Sequence, residues 1–134
     1  MTAQRILQFN AGTTLACAMA MIAARNVLYP WFGLDSPMAI DGVAIAFIAY
    51  AGVMFSASRR RPVERQALMP FAIADWTWVA ASGLVLLLYW NQVAPAGRLL
   101  LIVVALAVDV LATVQFRVAR SPLAGAGSAA RSVS

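Results

Sequence analysis

Histidine and lysine are missing from the 134 residues, cysteine occurs once, and only 11% of positions carry charge. Each shortage excludes something. With no histidine and Cys17 alone, there is no ligand set for zinc or haem, no disulfide within the chain and no paired redox motif, so no metal or other cofactor is expected. No glycine-rich phosphate loop, nucleotide motif or nucleophile–base pair stands anywhere in the chain, which leaves little to specify an enzyme. The scarcity of charge, set against a hydrophobic fraction of 63%, leaves too little polar surface to cover a soluble globule of this size.

What the chain does have is apolar length. A hydrocarbon core about 30 Å thick needs roughly 20 mostly apolar residues per helix. Four such runs occur, at about 6–27, 38–57, 67–90 and 99–116. The expected fold is therefore all-α: an integral membrane bundle of four transmembrane helices within residues 1–120, followed by a flexible tail over 121–134, where "SPLAGAGSAARSVS" has no apolar face. The prolines test this division, because an interior proline removes a hydrogen bond that lipid cannot replace. Pro30, Pro37, Pro62, Pro95 and Pro122 fall in the proposed loops or tail, and Pro70 falls in the first turn of the third span, where a missing amide proton costs least.

All ten basic residues are arginines, and eight of them share a side in a four-span chain: Arg5, the cluster Arg59, Arg60, Arg61 and Arg65, then Arg117, Arg120 and Arg131. Arg25 and Arg98 lie opposite. Positive charge near span ends is retained in the cytoplasm, so both termini are expected there, in a multi-pass protein of the cell inner membrane. A basic loop beside apolar spans is a topology signal and a contact for anionic headgroups, and nucleic acid is not an expected partner. "TTLACAMA" imitates a signal-peptidase site, but Asn10, Thr13 and Thr14 interrupt its apolar region, and an uncleaved first span is expected.

At the outer boundary, Tyr29, Trp31, Phe32, Tyr89 and Trp90 resemble an interfacial aromatic belt. The similar wording of "NVLYPWFGLDSP" and "LLLYWNQVAPAG" makes a duplicated helical hairpin conceivable. Asp35, Asp41, Arg25 and Arg98 read as solvated or paired charges at helix ends. In the first span, Gly12, Ala16, Ala20 and Ala24 form a small-residue ridge, expected to pack within the bundle or, failing that, to mediate a homodimer. In size and span number the chain is similar to four-helix exporters of the small multidrug-resistance family. Those carry an essential glutamate in the first helix, where this chain has no acid, so membership is not indicated.

Two acids fall deep inside the spans, whereas Asp41 stands at the start of the second. An aspartate at mid-membrane costs about 2.5–3.5 kcal/mol and should face the bundle interior or water. Counting at 1.5 Å per residue from Gln66 and from Arg117 puts Asp75 and Asp109 roughly 12–14 Å from the cytoplasmic ends of their helices. A short loop makes these helices antiparallel neighbours, so the carboxyls are expected to face each other and share a proton. Asn10, Thr13 and Tyr50 reach the same level from the other spans as hydrogen-bonding candidates. Trp78, on the same face as Asp75, is the candidate apolar wall, whereas Trp76 points about 100° away. Gln8 and Gln115 are placed nearer the cytoplasmic mouth.

Three roles follow from these residues. A non-enzymatic accessory or assembly component, touching a larger membrane protein or a second copy of itself, fits the small size and short loops best. A proton-coupled transporter of a small molecule or ion, using Asp75 and Asp109, comes second. An intramembrane acid-dependent enzyme acting on a lipid, terpenoid or quinone comes last.

Overall fold

The computed structural model describes residues 2–60 and 62–122. The proposed tail beyond residue 122, including Arg131, and the loop residue Arg61 lie outside the described residues. Among those described, the chain forms five α-helices and one 3-10 turn, with no strand: α1 Ala3–Ala23, α2 Arg25–Trp31, α3 Met38–Arg59, the turn Arg65–Leu68, α4 Met69–Leu88 and α5 Pro95–Arg120. Four of these segments, α1, α3, α4 with its preceding turn, and α5, are long and apolar enough to cross a membrane.

The helix starts follow local chemistry. Thr2 caps α1 by accepting the Arg5 amide at 3.3 Å. Pro70 and Pro95 stand in the first turns of α4 and α5, where no intrahelical partner is lost. The expected outer loop contains structure that its aromatics and prolines concealed. After a break at Ala24, residues 25–31 coil into α2 with Pro30 inside it. Its end is a Schellman turn, in which Leu34 N–H donates to the Tyr29 carbonyl and Gly33 N–H to the Pro30 carbonyl, with Gly33 at φ +66°.

The helices pair as two hairpins. α1 packs along α3 and α4 along α5, with fewer close backbone approaches between the pairs. On the α1–α3 seam the buried small residues are Ala11 and Ala18 on one helix and Ala44 and Ala51 on the other. This corrects the expected ridge, because Gly12, Ala16 and Ala20 face outward and Gly12 has open space beside it. The decisive cue was Asn10. A buried polar residue carries Leu7, Ala11 and Ala18 inward beside it, on the side of α1 roughly opposite the Gly/Ala series.

The end of the bundle where α1 begins and α5 ends is closed by Ala3, Ile6, Leu7, Ala11, Met54, Leu68 and Ala119. α5 runs 26 residues, about 39 Å, and its last turn packs against the Arg65–Leu68 turn. The far end is joined by backbone. Ala94 N–H donates to the Trp31 carbonyl at 2.7 Å, linking the tips of the two hairpins. There Arg25 pairs with Asp41 at 2.9 Å, and Arg98 lies over the Trp90 ring while donating to the Val93 carbonyl. The Arg25–Asp41 pair is half exposed and contributes about 0–1 kcal/mol.

Candidate functional site

Inward from the closed end, side chains of three helices converge on Asp75 of the fourth. The residue is only 5% exposed. Its Oδ2 accepts Asn10 Nδ2 from α1 at 2.8 Å and Gln115 Nε2 from α5 at 3.1 Å, and its Oδ1 accepts the Tyr50 hydroxyl from α3 at 3.0 Å. Tyr50 also lies 3.2 Å from the Phe71 carbonyl, and its ring packs against Phe71. Asn10 is steadied in turn, since Thr14 Oγ donates to Asn10 Oδ1 at 3.2 Å. These contacts cross from one hairpin to the other. The carboxyl of the second hairpin is held by donors of the first, and Gln115 closes the ring from within its own hairpin.

Asp109 has a different neighbour. Its Oδ1 accepts the Trp76 indole N–H at 3.1 Å, and the Trp76 ring packs on Phe116, 5.1 Å between centroids. The separation follows from helix geometry. At about 100° per residue, Trp76 is one step around α4 from Asp75, and Asp109 and Gln115, six residues apart, lie about 120° apart on α5. The α4–α5 interface thus makes two polar contacts on two faces, Asp75–Gln115 turned toward α1 and α3, and Trp76–Asp109 turned away from them. The expected shared proton between the acids has no counterpart in these bonds.

Of the residues singled out from the sequence, Asp75, Tyr50 and Asn10 are brought into one cluster. Thr13 is not among the partners of Asp75, because its hydroxyl donates to the Phe9 and Asn10 carbonyls at 3.0 Å each. Trp78 packs edge-on against Phe47, 4.8 Å between centroids, and its indole nitrogen is buried without a partner among the described residues. Ser82 returns its hydroxyl to the Trp78 carbonyl at 2.9 Å, a helix-internal bond.

Gln115 was missed. It is fully buried, and counting inward from Arg117 placed it too near the mouth. α5 continues to Arg120 and buries Ala119, so Arg117 does not mark the helix end. A usable signal stood in the sequence. Ala112, Gln115 and Ala119 repeat at three and four residues, the buried stripe of α5.

No family model, curated protein or solved structure matches the chain. The cluster offers one carboxyl whose oxygens are both engaged, two carboxamides, a phenol, and a buried Gln115 Oε1 without a partner among the described residues. There is no side-chain cation in its bonds.

Proposed function

We propose that the protein is a small, non-enzymatic, multi-pass component of the cell inner membrane, with both termini in the cytoplasm, that works through contacts inside the bilayer. The observation that carries this reading is the bonding of Asp75. Both its oxygens are occupied by side chains of α1, α3 and α5, so the acid ties the two hairpins together. A carboxyl that bound and released a transported cation, or acted as a general acid, would need a face open to its substrate. The exposed Gly12, Ala16 and Ala20 supply a surface for the reading, because small residues let a second helix approach closely. A larger membrane protein or a second copy of this chain fits that face.

Purification in a mild detergent, followed by native mass determination, tests the role. A homo-oligomer or a stoichiometric complex is expected, and it should persist in Asp75→Asn and Asp109→Asn. A monomer that drives pH-dependent transport in proteoliposomes, with that transport lost in Asp75→Asn, would overturn the proposal. The topology has a separate check. In a Cys17→Ser background, an impermeant maleimide should label Asp35→Cys in intact spheroplasts and Gln66→Cys only after lysis. The reverse pattern would invert the assignment drawn from the arginines.

A further inference from the structure

A groove of about 550 Å³ runs along one side of the bundle between α1 and α5, where the two hairpins meet. Its size falls in the range of small-molecule sites, about 300–1,000 Å³. Phe9, Phe47, Val103, Leu111 and Val114 form much of its wall, and none of its lining residues is charged. The polar atoms are concentrated on the α1 side, at Asn10, Thr13 and Thr14.

The hydrogen bonds of those residues define what the groove asks of a ligand. A threonine hydroxyl has one proton and two lone pairs. Thr13 directs its proton to the carbonyls of Phe9 and Asn10, and Thr14 directs its proton to Asn10 Oδ1. Both hydroxyls therefore present acceptor lone pairs. Asn10 is 2% exposed and its amide is fixed by Asp75, which keeps Thr14 oriented. A carboxylate or phosphate would meet lone pairs and no cation, and a ketone or quinone carbonyl would find neither hydroxyl proton free and only the weakly donating Cys17 thiol. The complement to this wall is an uncharged molecule with a long apolar body and one O–H to donate.

We propose that the α1–α5 groove binds a lipid alcohol, its chain lying along Phe9, Val103 and Leu111 and its hydroxyl donating to Thr14. This goes beyond the assembly role: lipid binding is read at Thr14 and Leu111, whereas the Gly12–Ala20 face, which adjoins the groove at Phe9 and Thr13, is read by oligomeric state, so the two failures are distinguishable.

The test uses the full chain in phosphatidylcholine nanodiscs and a diazirine-bearing analogue of hexadecanol. Saturable labelling is expected within residues 6–17 and 103–114, competed by hexadecanol. Hexadecyl methyl ether, which has no O–H, should compete about fivefold more weakly, and Thr14→Val should weaken binding of the probe by a similar factor. Ala107→Trp, which fills the groove from its rim, should abolish the labelling, and Ile73→Trp on the exposed face of α4 should leave it unchanged. Equal competition by alcohol and ether would overturn the proposal. So would labelling spread evenly over α3 and α4, or capture of a partner helix at Leu111 in place of lipid. If Ala107→Trp does not fold, the ether comparison and Thr14→Val still decide.

Discussion

Replacing Asp75 with leucine is expected to destabilise the bundle by about 2–4 kcal/mol, whereas Asp109→Leu should cost no more than about 1 kcal/mol. Both remove one carboxylate from an apolar helix, so by hydropathy alone each substitution should help. The difference lies in what is left behind. Asp75→Leu deletes three hydrogen bonds and strands the amide donors of Asn10 and Gln115, the first 2% exposed and the second fully buried. Only Tyr50 keeps another acceptor, the Phe71 carbonyl. Asp109→Leu strands one indole N–H, at a half-buried position. Single hydrogen bonds between membrane helices average about 0.6 kcal/mol, so three lost bonds plus two buried unpaired donors reach the stated range and one bond does not.

The same contacts say how the protein should fail. α1 with α3, and α4 with α5, keep their own seams when Asp75 is gone, so the hairpins should survive while their mutual attachment weakens. Reversible unfolding in SDS–detergent mixtures gives the free energies, and a fluorophore pair with one member on each hairpin reads the separation. Asp75→Asn should fall between the two leucine variants, at about 1 kcal/mol, because the Asn10 and Gln115 amides can turn to pair with a new amide. Equal costs for Asp75→Leu and Asp109→Leu would mean that the cluster does not join the hairpins.

The four long apolar helices were legible because each is a statement about mean apolarity over roughly 20 residues, and no tertiary contact is needed to make it. Asp75, Asn10 and Tyr50 were legible for a related reason: a polar group inside such a span must turn inward, and distance from the helix end fixes its level. Partner choice was not. Level leaves the angle around the helix undetermined, and angle separates Gln115, which meets Asp75, from Asp109, which meets Trp76. Angle also decided the small-residue series on α1. There nearly every face carries alanine or glycine, so the packed face is set by Asn10 and its neighbours Leu7 and Ala11. The break at Ala24 inside the expected first span of 6–27, and the helical conformation of 28–31 beyond it, were hidden because prolines and aromatics are equally at home in a loop.

At the far end the largest effects should come from two glycines and from no others. Gly33→Ala is expected to cost about 2–3 kcal/mol and Gly97→Ala about 1–3 kcal/mol. A Cβ on Gly33 would sit 2.7 Å from the Gln92 carbonyl oxygen, at a residue whose φ of +66° already disfavours any side chain. The Schellman turn that ends α2 requires that conformation, so the residue cannot rotate away without breaking the Leu34 and Gly33 bonds. A Cβ on Gly97 would stand 2.7 Å from the Trp31 carbonyl oxygen, the acceptor of the Ala94 N–H. Backbone, not a flexible side-chain tip, must move in both cases. Gly12, Gly42, Gly52 and Gly83 have nothing within 4 Å of the added carbon, and alanine there should be neutral or stabilising by up to about 1 kcal/mol. Because Gly33 and Gly97 serve one junction between residues 31–33 and 92–97, the double variant should cost less than the sum of the singles. Unfolding midpoints for the six single variants and the double decide it, and the junction would be discarded if Gly33→Ala and Gly97→Ala matched Gly12→Ala.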